Sequence, residues 1–292
     1  MIVSIDDSAG FCWGVVKTID KIEEVLESNH DDRICVLGEI IHNPREIERL
    51  EKQGLKTVSY NDMKSLSSHP HKLIIRAHGE PPSTYAKAEE LGISLVDATC
   101  PLVQNLQKRI KKAYLDGFQI IIFGQKNHPE VIGLRGVCND ECIVLTSLNE
   151  PQLNIDFSKN TILFSQTTME RCEFNKIKSE LETKFNNLQD STAPKFLAKD
   201  TICKYVADRE VFLQKFVRDN DLVLFVAGKN SSNGKSLYHI CRKANENTHF
   251  IEGIDEIDTG WFKDVEKVGI TGATSTPQWY LQLVKEEIEK MI

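Results

Sequence analysis

Three cysteines stand directly before amphipathic stretches: Cys12 before WGVVKTIDKIEEVL, Cys100 before PLVQNLQKRIKKAYLDG and Cys203 before KYVADREVFLQKFVRDN. The positive end of a helix dipole favours a thiolate, and the thiolate is the form that binds metal. Three such thiolates fit a cubane iron–sulfur cluster with one iron left without a protein ligand. That iron can act as a Lewis acid toward a substrate oxygen and pass electrons. Zinc on three cysteines uses the same donors, and three buried thiols can also pack as small hydrophobes. Recurrence at equivalent places in three repeats favours the metal.

A second set of chemically able residues comprises His42, His78, His128, Glu130, Thr167, Ser231, Ser232, Asn233 and Ser275. Each falls at an expected strand end. Three histidines at equivalent tips suggest a shared anion pocket. The SSN run ahead of a helix suits phosphate binding by helix-start amides and hydroxyls, and suits an ordinary N-cap equally. Cys138 and Cys142 form a C-x3-C pair, but no second pair follows to complete a metal site. Cys35, Cys172 and Cys241 sit in apolar or helical settings and read as core.

The elements that must position these groups form a threefold repeat. Helical spacing of apolar residues is visible in Val16, Ile19, Ile22 and Val25, in Leu102, Leu106, Ile110 and Ala113, and in Val206, Leu213, Phe216 and Val217. Pro101 suits a first helical turn. Each helix leads to a short apolar strand ending in Gly38, Gly124 or Gly228, which follow their cysteines by 26, 24 and 25 residues. A polar loop and another helix follow. A second apolar strand then ends in a polar tip at His78, Thr167 or Ser275. Alternating helix and strand predicts an α/β protein of three similar lobes with small parallel sheets. The expected lobes are residues 1–98, 99–198 and 199–292, the second boundary falling in the polar stretch 186–200. Ligands sit at the carboxyl ends of strands in such sheets, so pseudo-threefold symmetry would bring the three cysteines to one axis.

Composition narrows the function. A net charge of −7 argues against a nucleic-acid partner. No apolar run approaches the roughly 20 residues of a membrane helix, and the acidic start MIVSIDDSAGF lacks the pattern of a secretion signal. Eight cysteines at irregular spacing, without such a signal, point to free thiols or metal ligands in a cytoplasmic protein.

At GFCWGV, GEIIHN, AHG, DATCPLV, NHPEVIG, SQTT, DTICKYVADRE, KNSSN and GATSTP the chain resembles the 4-hydroxy-3-methylbut-2-enyl diphosphate reductase family of the non-mevalonate isoprenoid pathway. The matches run in family order over nearly the whole chain. The resemblance implies a trefoil of three lobes around a [4Fe–4S] cluster on Cys12, Cys100 and Cys203. It implies diphosphate contacts from His42, His78, Ser231, Ser232, Asn233 and Ser275. His128, Glu130 and Thr167 would lie near the substrate hydroxyl, with Glu130 giving the proton. The implied reaction is reductive dehydroxylation to isopentenyl and dimethylallyl diphosphate. With no flavin or nicotinamide motif in the chain, ferredoxin or flavodoxin would supply the electrons. Trp13 and the loop GQKNHPE depart from the family pattern and bear on local pocket shape. Two rivals are a quinolinate-synthase-like iron–sulfur dehydratase, which KNSSN, NHPE and SQTT argue against, and a non-enzymatic iron–sulfur sensor, which needs no diphosphate pocket.

Overall fold

A computed structural model describes residues 1–28, 33–66, 71–150, 153–187 and 194–291, so residues 188–193 of the expected second boundary lie outside the described residues. The chain begins with β1 (Ile2–Ile5) and α1 (Trp13–Ser28). It continues through β2 (Arg33–Leu37), α2 (Pro44–Lys52), β3 (Lys56–Val58), α3 (Met63–Leu66), β4 (His71–Ile75), α4 (Pro82–Glu90) and β5 (Ser94–Asp97). The middle part comprises α5 (Pro101–Leu115), β6 (Gln119–Phe123), α6 (Pro129–Gly136), β7 (Cys142–Leu145), β8 (Thr161–Ser165), α7 (Arg171–Asn186) and β9 (Phe196–Ala198). The last part is α8 (Lys204–Arg218), β10 (Leu222–Val226), α9 (Ser232–Ala244), β11 (Thr248–Ile251), β12 (Lys267–Gly272) and α10 (Gln278–Met291).

Among the described residues the strands form three four-stranded sheets, ordered β3-β2-β4-β5, β7-β6-β8-β9 and β11-β10-β12-β1. Their pairing is parallel. The three orders are the same pattern, as the α/β repeat predicts. One feature departs from the expected lobe limits. Residues 2–5, expected with the first lobe, pair with β12, in the register Ile2↔Lys267 to Ile5↔Ile270. In the other two sheets that fourth place is filled by β5 and β9, the strands that precede Cys100 and Cys203. The structural repeat therefore ends, rather than begins, with the strand ahead of each cysteine.

The chain divides into two compact units. One comprises Met1–His30, Glu39–Thr57 and Lys204–Ile292 and contains the third sheet; the other comprises Asp31–Gly38 and Val58–Cys203 and contains β2, β4, β5 and the whole second sheet.

The second and third sheets are covered by helices on two faces, which is why their central strands are continuously apolar. In β6, alternate residues serve opposite faces. Ile120 and Ile122 pack with Leu106 and Ile110 of α5, while Ile121 and Phe123 pack with Phe174, Ile177 and Leu181 of α7. In β10, Leu222, Leu224 and Val226 meet Leu281, Val284 and Ile288 of α10; Val223 and Phe225 meet Leu213 and Val217 of α8. Truncating such a buried side chain to Ala costs about 2–5 kcal/mol.

The helices refine the expected apolar faces. In α5 the buried stripe is Val103, Leu106, Ile110 and Ala113, and Leu102 is exposed, one step round the helix. In α1 the buried arc runs through Gly14, Thr18, Ile22 and Val25 and excludes Val16. Cys172, expected in the core, is exposed: the stripe of α7 is Phe174, Ile177, Leu181 and Phe185.

Candidate active site

The central strands dictate where function can sit. In each sheet the first strand after the cysteine-led helix lies between its second and third partners, so the chain leaves neighbouring strands in opposite directions at β2/β4, β6/β8 and β10/β12. Crevices at such switch points bind ligands in open α/β sheets. The loops after these strands carry His42, His78, His128, Glu130, Thr167, Ser231, Ser232, Asn233 and Ser275.

Each candidate cysteine is pinned to one of these strand tips. The backbone N–H of Cys100 donates to Ala77 O at 3.0 Å, that of Cys203 to Thr167 O at 2.8 Å, and that of Cys12 to Thr274 O at 3.1 Å. The tip joined to each cysteine belongs to the sheet whose fourth strand precedes it, so the pairing runs back along the chain from the phase of the sequence repeat. The cysteines then open helices. The carbonyl of Cys12 accepts from Val16 N and that of Cys100 from Gln104 N, both at 3.0 Å. Cys100 is the N-cap of α5 and Pro101 its first residue. All three thiols are half-buried, whereas Cys35, Cys138 and Cys241 are buried. Cys100 and Cys203 belong to one compact unit and Cys12 to the other.

The loop after β6 builds an acid site. His128 is the N-cap of α6, and its Nδ1 accepts from Glu130 N at 3.2 Å, which assigns the ring proton to Nε2 in the neutral tautomer. The ring of His78 meets that of His128 edge to face, with centroids 5.4 Å apart. Glu130 is 2% exposed. Its Oε1 accepts from Thr167 N at 2.8 Å and its Oε2 from Thr167 Oγ1 at 2.6 Å. Burial outweighs both hydrogen bonds and pushes the Glu130 carboxyl up to about 7. A carboxyl tuned near neutrality can give a proton and take it back, as general acid catalysis requires.

The tip bearing Thr167 is held rigidly. Gln166 Oε1 accepts from Gln125 N at 3.0 Å, and Gln166 N donates to Phe123 O at 2.8 Å. Thr201 Oγ1 accepts from Ser165 N at 2.8 Å and donates to Ser165 O at 2.7 Å, tying the tip to the segment that leads to Cys203. Gln166 and Thr201 lie in the segments SQTT and DTICKYVADRE, where nothing in the sequence alone marks them as braces.

The third sheet gathers polar side chains at the start of α9. Ser231 is the N-cap of α9, its Oγ accepting from Gly234 N at 2.9 Å, so the capping role expected of this run is real. Asn233 Oδ1 accepts from Thr274 N and from Thr274 Oγ1, both at 2.9 Å. That spends the acceptor and leaves the amide donor. Asn233 Nδ2 and Ser275 Oγ are both buried without a hydrogen-bond partner among the described residues. An unsatisfied buried polar group costs about 1–3 kcal/mol. Two such groups beside the open amides of a helix start fit an anionic oxygen ligand.

His42 enters the same compact unit from the loop after β2. Asn43 caps α2 by accepting from Arg45 N at 3.1 Å and Glu46 N at 3.2 Å. A Cβ at Gly228 would lie 2.3 Å from His42 O, so glycine lets that loop approach the end of β10. His42 Nδ1 lies 3.1 Å from Glu39 Oε2. This unit thus contains Cys12, His42, Ser231, Ser232, Asn233 and Ser275. The other contains His78, Cys100, His128, Glu130, Thr167 and Cys203.

Fold and site define an α/β enzyme assembled from three parallel sheets. Residues 3–289 match the family model described as LytB protein. The chain is 46% identical to the 4-hydroxy-3-methylbut-2-enyl diphosphate reductase of Chloroherpeton thalassium, over 99% of this chain and 96% of that one. It is 45% identical to the reductase of the same name from Bacteroides fragilis, over 99% and 98%. Among solved structures, the E-1-hydroxy-2-methyl-but-2-enyl-4-diphosphate reductase of Plasmodium falciparum superposes with a TM-score of 0.85 at 28% identity, over 98% of this chain and 87% of that one. A structure of (E)-4-hydroxy-3-methyl-but-2-enyl diphosphate reductase, the terminal enzyme of the non-mevalonate pathway, superposes with a TM-score of 0.70 at 30% identity, over 99% of this chain and 100% of that one. The chain belongs to the LytB family of 4-hydroxy-3-methylbut-2-enyl diphosphate reductases and is an oxidoreductase. Among the described residues no helix is long and apolar enough to cross a membrane.

Proposed function

We propose that this enzyme reductively dehydroxylates 4-hydroxy-3-methylbut-2-enyl diphosphate to isopentenyl and dimethylallyl diphosphate. The observation that carries this reading is the buried Glu130–Thr167 pair, a carboxyl poised near neutral pH and held on both oxygens. The net change adds two electrons and two protons and releases water. Hydroxide leaves poorly unless protonated, and Glu130 gives that proton at Oε2. Thr167 Oγ1, 2.6 Å away, keeps the carboxyl oriented and can pass the proton on.

Cys12, Cys100 and Cys203 would hold a [4Fe–4S] cluster. What supports the fit is that three half-buried cysteines share backbone bonds of one kind to three strand tips. Once bound, a cluster on three thiolates supplies one-electron transfer and one iron open to a Lewis base. The diphosphate would be bound by His42, His78, Ser231, Ser232, Asn233 and Ser275, with the donors of Asn233 and Ser275, which have no partner among the described residues, as strongest support. His128, as a neutral Nε2 donor beside Glu130, would orient the substrate hydroxyl. Ferredoxin or flavodoxin would be the electron donor, in the cytoplasm. The three lobes of residues 1–98, 99–198 and 199–292 would each contribute one cysteine, with β1 lent to the third sheet.

The test is anaerobic turnover of the diphosphate with a chemical reductant and mass-spectrometric product analysis. Formation of both five-carbon diphosphates is expected. No consumption of substrate by protein carrying full iron and sulfide would overturn the proposal.

A further inference from the structure

We infer that Cys138 and Cys142 form a peroxide-oxidisable dithiol, a reversible modification site distinct from the three cysteines proposed as cluster ligands. Cys142 is the thiol that attacks and Cys138 the one that resolves.

The pair closes the turn between α6 and β7. Asn139 and Asp140 both adopt positive φ, 55° and 60°, and Glu141 N donates to Cys138 O at 2.8 Å, so the chain reverses tightly between the two cysteines. Both cysteines pack in one apolar cluster with Leu134 and Ile120. Their surroundings differ. Cys138 is completely buried, with Arg135 O 3.2 Å and Leu134 O 3.6 Å from its sulfur. Cys142 is half-buried and lines a cleft of about 520 Å³ with Tyr114, Gln119, Asp140 and Lys159.

Electrostatics divides the roles in the same way. The Cys138 hydrogen bond, followed by the Arg135 cation, holds the Cys142 thiol below its ordinary value despite burial and the Asp140 carboxylate. Donation to Cys142 and burial push Cys138 up. Arg135 itself is fixed by Asp140, Nη2 to Oδ1 at 2.7 Å. A half-buried thiol shifted toward its thiolate form, beside a fully buried one, is the arrangement that oxidises selectively.

The chemistry balances. The Cys142 thiolate attacks one oxygen of hydrogen peroxide, the O–O bond breaks, and a sulfenic acid and hydroxide form. The Cys138 sulfur then attacks the Cys142 sulfur, and its proton leaves with the sulfenic oxygen as water; the hydroxide of the first step takes up the proton that Cys142 gave to solvent on ionising. Each sulfur loses one electron and the two peroxide oxygens gain them. The resulting bridge would tie off the end of α6 opposite His128 and Glu130.

The test is peptide mapping of the holoenzyme after peroxide treatment, denaturation and alkylation. Trypsin gives residues 136–159 as one peptide containing Cys138, Cys142 and no other cysteine. That peptide should escape alkylation, weigh two hydrogens less, and recover with dithiothreitol. In Cys138→Ser, Cys142 should accumulate a sulfenic acid trapped by dimedone. The inference is overturned if both thiols of the wild-type peptide stay alkylatable, if either bridges instead to another cysteine, or if Cys138→Ser yields no dimedone adduct on Cys142.

Discussion

Thr167 grips both oxygens of Glu130, its N–H donating to Oε1 at 2.8 Å and its hydroxyl to Oε2 at 2.6 Å. The two residues come from different strand-end loops of one sheet, β6 and β8, which pair in register from Gln119↔Thr161 to Phe123↔Ser165. Strand pairing therefore fixes the distance between the acid and its partner.

Stability should report on this buried acid. The Glu130 carboxyl is raised in the folded protein to about 7 from an ordinary 4.5. Such a group contributes stability that is present below 4.5 and lost as pH rises through about 7. Glu130→Gln copies the protonated shape and has no charge to bury. Relative to wild type, the variant should gain stability between pH 5 and 8, by an amount on the order of 3 kcal/mol at most. Thermal unfolding under anaerobic conditions at pH 5 and pH 8 measures it; an equal difference at both values contradicts the burial argument.

The hydroxyl of Thr167 should tune the pH profile. Both Thr167 hydrogen bonds lower the Glu130 carboxyl against burial. Thr167→Val removes one of them and keeps the backbone donor. The acid then stays protonated to higher pH, so the alkaline limb of the rate profile moves upward from about 7. The rate itself should drop, by roughly tenfold for one lost bond to a charged group. An unmoved limb would separate Thr167 from the titrating group.

Cluster retention should depend on the three pinned cysteines. Cys100→Ser keeps the N–H bond to Ala77 O and loses only the sulfur. Iron and sulfide content after anaerobic reconstitution should collapse in this variant, and in Cys12→Ser and Cys203→Ser. Cys172→Ser, at an exposed position of α7, should bind a full complement. Full loading of Cys100→Ser would end the assignment.

Ser275 offers the cleaner test of the diphosphate site. Asn233 also braces Thr274, so its removal disturbs the tip, whereas the Ser275 hydroxyl has no protein partner among the described residues to lose. Ser275→Ala should weaken diphosphate binding by about tenfold or more, since one hydrogen bond to a charged group is worth about 1.5–3 kcal/mol. Unfolding stability should hold or rise. Calorimetry that finds unchanged affinity contradicts the site.

Much of this was legible in the chain because strand ends announce themselves. A run such as IIIFG is apolar on both faces only when helices cover both, and its terminal glycine marks where the loop departs. The repeat gave the helix–strand alternation and the tips. It misphased the N-terminus, since no local signal says that Ile2–Ile5 pairs with residues 267–270 at the far end of the chain. The braces were equally hidden. Gln166–Gln125 and Thr201–Ser165 join residues some 40 positions apart, through side chains that look like ordinary loop polarity. Asn233 read as one donor among several in SSN, and only its two bonds from Thr274 reveal which atom is left for a ligand.

The central claim is that Glu130 gives the proton that lets the hydroxyl leave. Its competing role is a helix-start carboxylate at α6, worth about 0.3–1 kcal/mol to the dipole. Gln at this position can still accept from Thr167 N but cannot release a proton at neutral pH. The most direct measurement is the single-turnover rate of Glu130→Gln with a chemical reductant, at matched iron content and saturating substrate. A fall on the order of 10²–10⁴ is predicted, with substrate affinity retained. A rate within about threefold of wild type, far short of the general-acid range, would contradict the account and leave Glu130 a structural residue.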